Sequence, residues 1–163
     1  MQDVVRIDFM PTTALKIGIP FKIPNITSVV VTMSDDSALT DAKLFAASLL
    51  SLSMSGDGPT DAIPMDNISH KVTEKREMAG IVRTHTLQMG VDIGFQTIRE
   101  KEAALHETDF DIVLTTYDGD RYLVYSLPNS GQFTIDDQMG QSAQMNVKAT
   151  VQSMSGFIKI LGV

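Results

Sequence analysis

Nine residues constrain this chain more than any others. From Ala143 to Val151, apolar Ala143, Met145, Val147, Ala149 and Val151 alternate without a break with Gln144, Asn146, Lys148 and Thr150. A period of two sends successive side chains to opposite faces of a strand. One face is dry and the other wet, which belongs to an antiparallel sheet with a solvated side rather than to a sandwiched parallel one. Gly140 and Gly156 bracket the run, and Phe157–Leu161 predicts a short final strand.

Upstream segments repeat the pattern. In Val82–Ile93, Leu87, Met89, Val91 and Ile93 share one face, and Thr86, Gln88 and Asp92 the other. Gly80 separates this strand from the charged run Lys71–Met78, its candidate hairpin partner. Ile112–Tyr117 and Arg121–Leu127 are rich in β-branched and aromatic residues and flank Asp118-Gly119, which predicts a two-residue type I′ hairpin loop. Pro128-Asn129 ends that strand, and Gln132–Ile135 starts another. One helix interrupts the strands, over Ile98–His106. Thr97 and Glu100 have capping-box spacing, Ile98 and Leu105 share a face, and Glu102 and His106 form an i,i+4 pair on the wet side.

The first part of the chain reads differently. Residues 1–25 carry Pro11, Pro20 and Pro24, each favouring extended geometry just before it, and predict an arm with little internal structure. Residues 34–67 read as a long loop, broken at Gly56-Asp57-Gly58-Pro59. Within it Thr40-Asp41 predicts a helical turn or two, and Leu50, Leu52 and Met54 alternating with serines predict an extended segment. The expected fold is therefore mainly β, an antiparallel sandwich or barrel over 69–163 with one short flanking helix. At 163 residues, the chain fits one domain.

Composition removes several functions. Thirteen Lys and Arg against twenty Asp and Glu give a net charge of −7, which argues against a phosphate-binding surface. The absence of cysteine removes disulfides, thiolate metal sites and a cysteine nucleophile. No Walker loop, Gly-x-Gly-x-x-Gly or Gly-x-Ser-x-Gly motif occurs. Met1–Met10 carries Asp3, Arg6 and Asp8 and lacks the apolar core of a secretory signal. No run approaches the length of a transmembrane helix, so a soluble protein made in a cytosol is expected.

The remaining candidates for chemistry are few. Asp118-Gly119-Asp120 resembles a calcium loop only superficially, since an EF-hand spreads its ligands over about twelve residues; a turn is the better reading. Asp109 and Asp111 straddle Phe110 and share a face, but nothing around them in sequence points to the burial that paired catalytic carboxylates need. His70, His85 and His106 are too scattered for a zinc site, and His85 falls on the face of Leu87 and Met89, as a hydrogen-bonded histidine at the core edge. Lys71–Glu77 alternates in charge sign, as a solvated strand face does, or as a seam between subunits does. Ten methionines, including Met33, Met54, Met65, Met78, Met89, Met139, Met145 and Met154, suit adaptable packing and partner surfaces. No catalytic, cofactor-binding or metal-binding residues are assigned, and no enzymatic activity is expected.

The order of elements over Ser69–Ile160 resembles tail tube and related tail proteins of bacteriophages, especially those of Bacteroidetes phages and prophages. The resembling run is the charged strand Lys71–Met78, then Gly80 and Thr84–Met89, the helix Ile98–His106, and the hairpin Tyr117-Asp118-Gly119-Asp120-Arg121-Tyr122-Leu123-Val124. Leu127-Pro128, Phe133-Thr134-Ile135 and a last alternating strand ending in Ser153-Met154-Ser155-Gly156 complete it. Tyr125-Ser126 stands where members often carry a glycine, and residues 1–67 lie outside the resemblance. The resemblance implies a sheet-based barrel assembled into a hexameric ring, with rings stacking into a tube that carries DNA. Its partners would be copies of itself and neighbouring virion proteins, with DNA as non-specific cargo and neither membrane nor small-molecule substrate. The expected function is thus a structural part of the virion tail. A head–tail connector or tail completion ring, a monomeric ligand- or carbohydrate-binding β-domain, and a small hydrolase using Asp109 or Asp111 are the alternatives. Aromatics at 6% and the lack of tryptophan count against a sugar-stacking surface.

Overall fold

A computed structural model describes residues 4–18, 26–48, 52–55, 63–78, 80–107, 109–138 and 144–161. Its centre is the pair β1 (Val4–Pro11) and β8 (Phe110–Thr116), antiparallel neighbours inside a large sheet. Outward from β8 come β9 (Arg121–Val124), β12 (Ile158–Leu161), β3 (Ser28–Met33) and β2 (Leu15–Ile17). Outward from β1 come β4 (Leu52–Ser55) and β5 (Ile63–Pro64). The β12–β3 and β4–β5 pairs are parallel, so this sheet is mixed.

A second sheet of four strands is antiparallel throughout, in the order β10 (Gln132–Gln138), β11 (Gln144–Ser153), β7 (Gly80–Asp92), β6 (Asp66–Glu77). The dry face of β11 is buried as its alternation demands, with Met145, Val147, Ala149 and Val151 all inaccessible. It lies against the inner face of the large sheet, where Ile7, Phe9, Ile112, Leu114 and Val124 complete one core. Phe9 sits edge-on to both Phe110 and Phe133, with ring centroids 5.8 and 5.4 Å away, a favoured aromatic geometry. Helix α2 (Thr97–Glu107) packs on β10 and inserts Ile98 and Leu105 into this core.

The opposite face of the large sheet carries a second core. Met10, Val113, Leu123, Ile158 and Ile160 meet Val29 and Val31 of β3, and Leu39 and Leu44 cover them. Leu44 belongs to helix α1 (Asp41–Ser48), which packs on β1. Thr40 caps that helix as its sequence predicts, its Oγ1 accepting the Lys43 amide at 3.3 Å.

The β-rich class and the two-sheet arrangement agree with the sequence, and four details differ. No closed barrel forms among the described residues; the two sheets stay separate. Two helices flank them instead of one. Residues 4–11 are extended, yet they are an inner strand and not an arm: Pro11 lies at the end of β1, where it interrupts nothing. The 34–67 region contributes α1, β4, β5 and the start of β6 rather than one loop. Pro20, Pro24, Gly56–Pro59, Met139, Gly140 and Ala143 lie outside the described residues.

The β8–β9 hairpin forms with Thr115 opposite Arg121, one residue off the register that a two-residue Asp118-Gly119 loop would set, and with a different loop. Gly119 N–H donates to Thr116 O at 2.9 Å, and Thr116 N–H to Asp120 O at 2.9 Å. Gly119 has φ +88° and Asp118 keeps an ordinary backbone conformation. This is the three-residue loop with glycine at the single left-handed position, not a type I′ turn, which needs two such residues.

Candidate functional site

The long β6–β7 hairpin brings together what the sequence kept apart. Its register pairs His70 with Leu87 and Val72 with His85, so both histidines point to the core-facing side of the small sheet. Their rings stack at 6.0 Å with 14° between planes. Phe157, just before β12, sits edge-on to His70 at 4.4 Å and to His85 at 5.2 Å. Tyr122 of β9 approaches the same phenyl ring at 6.4 Å.

His85 is wholly buried. Its Nε2 lies 3.4 Å from the carbonyl oxygen of Ser155, which places the ring proton there, and its Nδ1 has no hydrogen-bond partner. Burial depresses its pKa to about 4; the Ser155 carbonyl opposes the shift, and nearby His70 and Arg83 add to it. His70 is half-buried, its Nε2 also lacks a partner, and burial lowers its pKa. Both imidazoles are neutral at pH 7.

The turn between β11 and β12 braces this cluster. Arg83 donates from Nη1 to the Met154 carbonyl at 3.1 Å and from Nε to Glu74 across the hairpin at 3.1 Å. Ser153 Oγ donates to Tyr125 O at 2.7 Å and accepts the Ser155 amide at 3.2 Å, which fixes the turn. A Cβ at Gly80 would come within 3.2 Å of the Met154 methyl group, so the hairpin lies close against this turn.

Beyond Arg83 the hairpin leaves the four-stranded ladder, although Gly80 still lies near Met154. β11 pairs with β7 only as far as Arg83, and Gly80–Val82 pair with β6 alone. β6 is an edge strand. Ile81 and Met78 are exposed on this outer part, Met78 completely, and Val72 is exposed nearer the root, opposite His85. The alternating charges of Lys71–Glu77 lie along it, two of them joined by the Lys75–Glu77 pair at 3.4 Å.

Other sequence candidates have structural roles. Asp111 is buried, although nothing around it in sequence points to burial. It faces the second core because β8 is covered on both sides, and it accepts the amide and the hydroxyl of Ser126, each at 3.0 Å. Ser126 Oγ also lies 2.6 Å from the Phe110 carbonyl. Asp109 accepts the amide of Asn129 at 2.8 Å, holding that residue at φ +58°. Asp118 and Asp120 lie in the β8–β9 loop, Asp120 3.6 Å from Lys159. The side chain of His106 is outside the described set. Among the described residues, no three His, Asp or Glu side chains are placed to share a metal ion, and no helix is long and apolar enough to cross a membrane.

One open groove, of about 320 Å³, lies on the outer face of the small sheet. Asn67, Ser69, Gln88, Asp136, Asn146 and Lys148 line it. Asp66 and Gln144 lean over its floor at Gly90, where an added Cβ would meet Asp66 Oδ1 at 2.6 Å.

Compared with protein-family models, curated proteins and solved structures, the chain gives no significant match.

Proposed function

We propose that this protein is a structural subunit of a phage tail that assembles with copies of itself into rings, the rings stacking into a tube through which DNA passes. The observation that carries the reading is the outer β6–β7 hairpin. A two-stranded ribbon is marginally stable alone, and this one exposes Ile81 and Met78 at its outer end, with Val72 exposed nearer the root on the edge strand β6. Val72 and Ile81 lie on the side that, farther down the hairpin, covers the core. Apolar residues grouped on a projecting element mark a surface made to be covered by another chain. The lysines of β6 restrain promiscuous edge pairing and leave those apolar residues as the specific contact. The element order over Ser69–Ile160 and the net charge of −7 support the same reading, since an acidic wall repels DNA phosphates and lets the duplex slide.

Mass photometry of the purified protein, with negative-stain images of the same sample, tests this. Closed rings or stacked tubes are the expected result. A monomer at every concentration overturns the self-assembling tube and leaves the connector, which assembles on a neighbouring protein. The polar groove over Gly90 favours a second reading, a small ligand-binding β-domain. That reading predicts a stable monomer with a saturable ligand whose binding is lost on Lys148→Ala.

A further inference from the structure

We propose that the His70–Phe157–His85 stack is an acid-sensitive latch, which holds the root of the β6–β7 hairpin against the β11–β12 turn while both imidazoles are neutral and frees the hairpin when they take up protons. The latch belongs to a single chain, so it stands or falls independently of ring assembly.

The geometry makes a second proton on either ring expensive. Protonation turns both ring nitrogens into donors. In His85 the new donor is Nδ1, which is buried with no acceptor, and in His70 one ring nitrogen, Nε2, is in the same position. An unsatisfied buried donor carries the full cost of its lost hydration. The two cations would also stack face to face at 6.0 Å.

Among the described residues, the charged groups that act on His85 are His70 and Arg83, and both oppose its cation. On β6, Glu74 is engaged by Arg83, and Arg83 itself adds positive charge on β7. From β9 only Tyr122 reaches the cluster, through Phe157. The β11–β12 turn, Ser153–Ile158, contains no ionisable side chain, and the next residue, Lys159, lies beside Asp120. The Ser155 carbonyl favours the cation, but it already holds the proton of the neutral ring.

Relief comes from opening. Once the hairpin root lifts from the turn, water solvates both imidazoles and they titrate near 6.5. His85 has a folded pKa depressed to about 4, so the latch is at full strength above about pH 6.5 and weakens as pH falls toward 4. Between pH 7.5 and 5.0, this difference alone raises the opening constant at the root about 30-fold. Opening parts the last rungs of the β7–β11 ladder, Val151–Ser153 opposite Arg83–His85, and meets no further β11 pairing past Arg83.

Hydrogen exchange of the intact protein at pH 7.5 and 5.0, corrected for the intrinsic pH dependence of exchange, reads this directly. Protection in the Asp66–Glu77 and Gly80–Asp92 peptides is expected to fall about 30-fold at pH 5.0, with Phe110–Thr116 unchanged. His85→Phe, which keeps the ring and removes the titrating nitrogens, is expected to abolish most of that loss. Equal protection at both pH values, or a parallel loss in Phe110–Thr116, overturns the latch. Should His85→Phe not fold, the imidazole Cε1–H resonance of wild-type His85 decides: a midpoint near 4 is required, and one near 6.5 overturns the proposal.

Discussion

The two faces of the large sheet are buried by different means. Toward the small sheet, β1 and β8 present Ile7, Phe9, Ile112 and Leu114 to an apolar core. Toward α1, the same strands present Asp8 and Asp111 beside Met10 and Val113. Asp8 is fully inaccessible and pairs with Arg6 two residues away, at 2.9 and 3.1 Å. The first face is fixed by shape, and substitutions there lose contact area smoothly. The second depends on individual donors, and loss of one weakens the compensation of a charge held away from water.

The sharpest test of this contrast is Arg6→Ala. Removing the guanidinium takes from Asp8 its close cation and is expected to lower stability by about 3–5 kcal/mol. Replacing Arg6 and Asp8 together by leucine is expected to cost far less, because neither charge of the pair remains. Urea denaturation measures both, and a double variant as unstable as Arg6→Ala would break the argument. Ser126→Ala follows, at about 1–3 kcal/mol, since Asp111 keeps the Ser126 amide and loses the hydroxyl. On the apolar face, Ile112→Val is expected to cost only about 1 kcal/mol. A larger loss there than in Ser126→Ala would reverse the ranking of the two faces.

The same contrast explains which elements the sequence announces. β11 is legible residue by residue because one face is dry and the other faces solvent. In β1 both faces are buried, and the paired Arg6 and Asp8 look like exposed charges in a proline-bearing arm. In β8, Asp111 carries the same disguise. A buried charge is indistinguishable from a wet one until its partner is known, and Ser126 is fifteen residues away. The histidine stack was closer to hand. Pairing the two strands across Gly80 sets Val72 opposite His85 and puts His70 on the same face. What no local pattern supplies is Phe157, which reaches the stack only because β12 joins the other sheet.

The smallest expected change in stability separates packing from assembly. Met78 is fully exposed at the end of β6, so Met78→Ser should leave folding stability within about 0.5 kcal/mol of wild type. If the outer hairpin is the contact between copies, the same substitution removes an apolar anchor from that surface, because methionine moulds itself to a partner. Mass photometry should then show the oligomer giving way to monomer at concentrations where the wild type is assembled, with the urea midpoint of the chain unmoved. An oligomer of unchanged stability would move the interface off the hairpin, to the edges of the large sheet at β2 and β5.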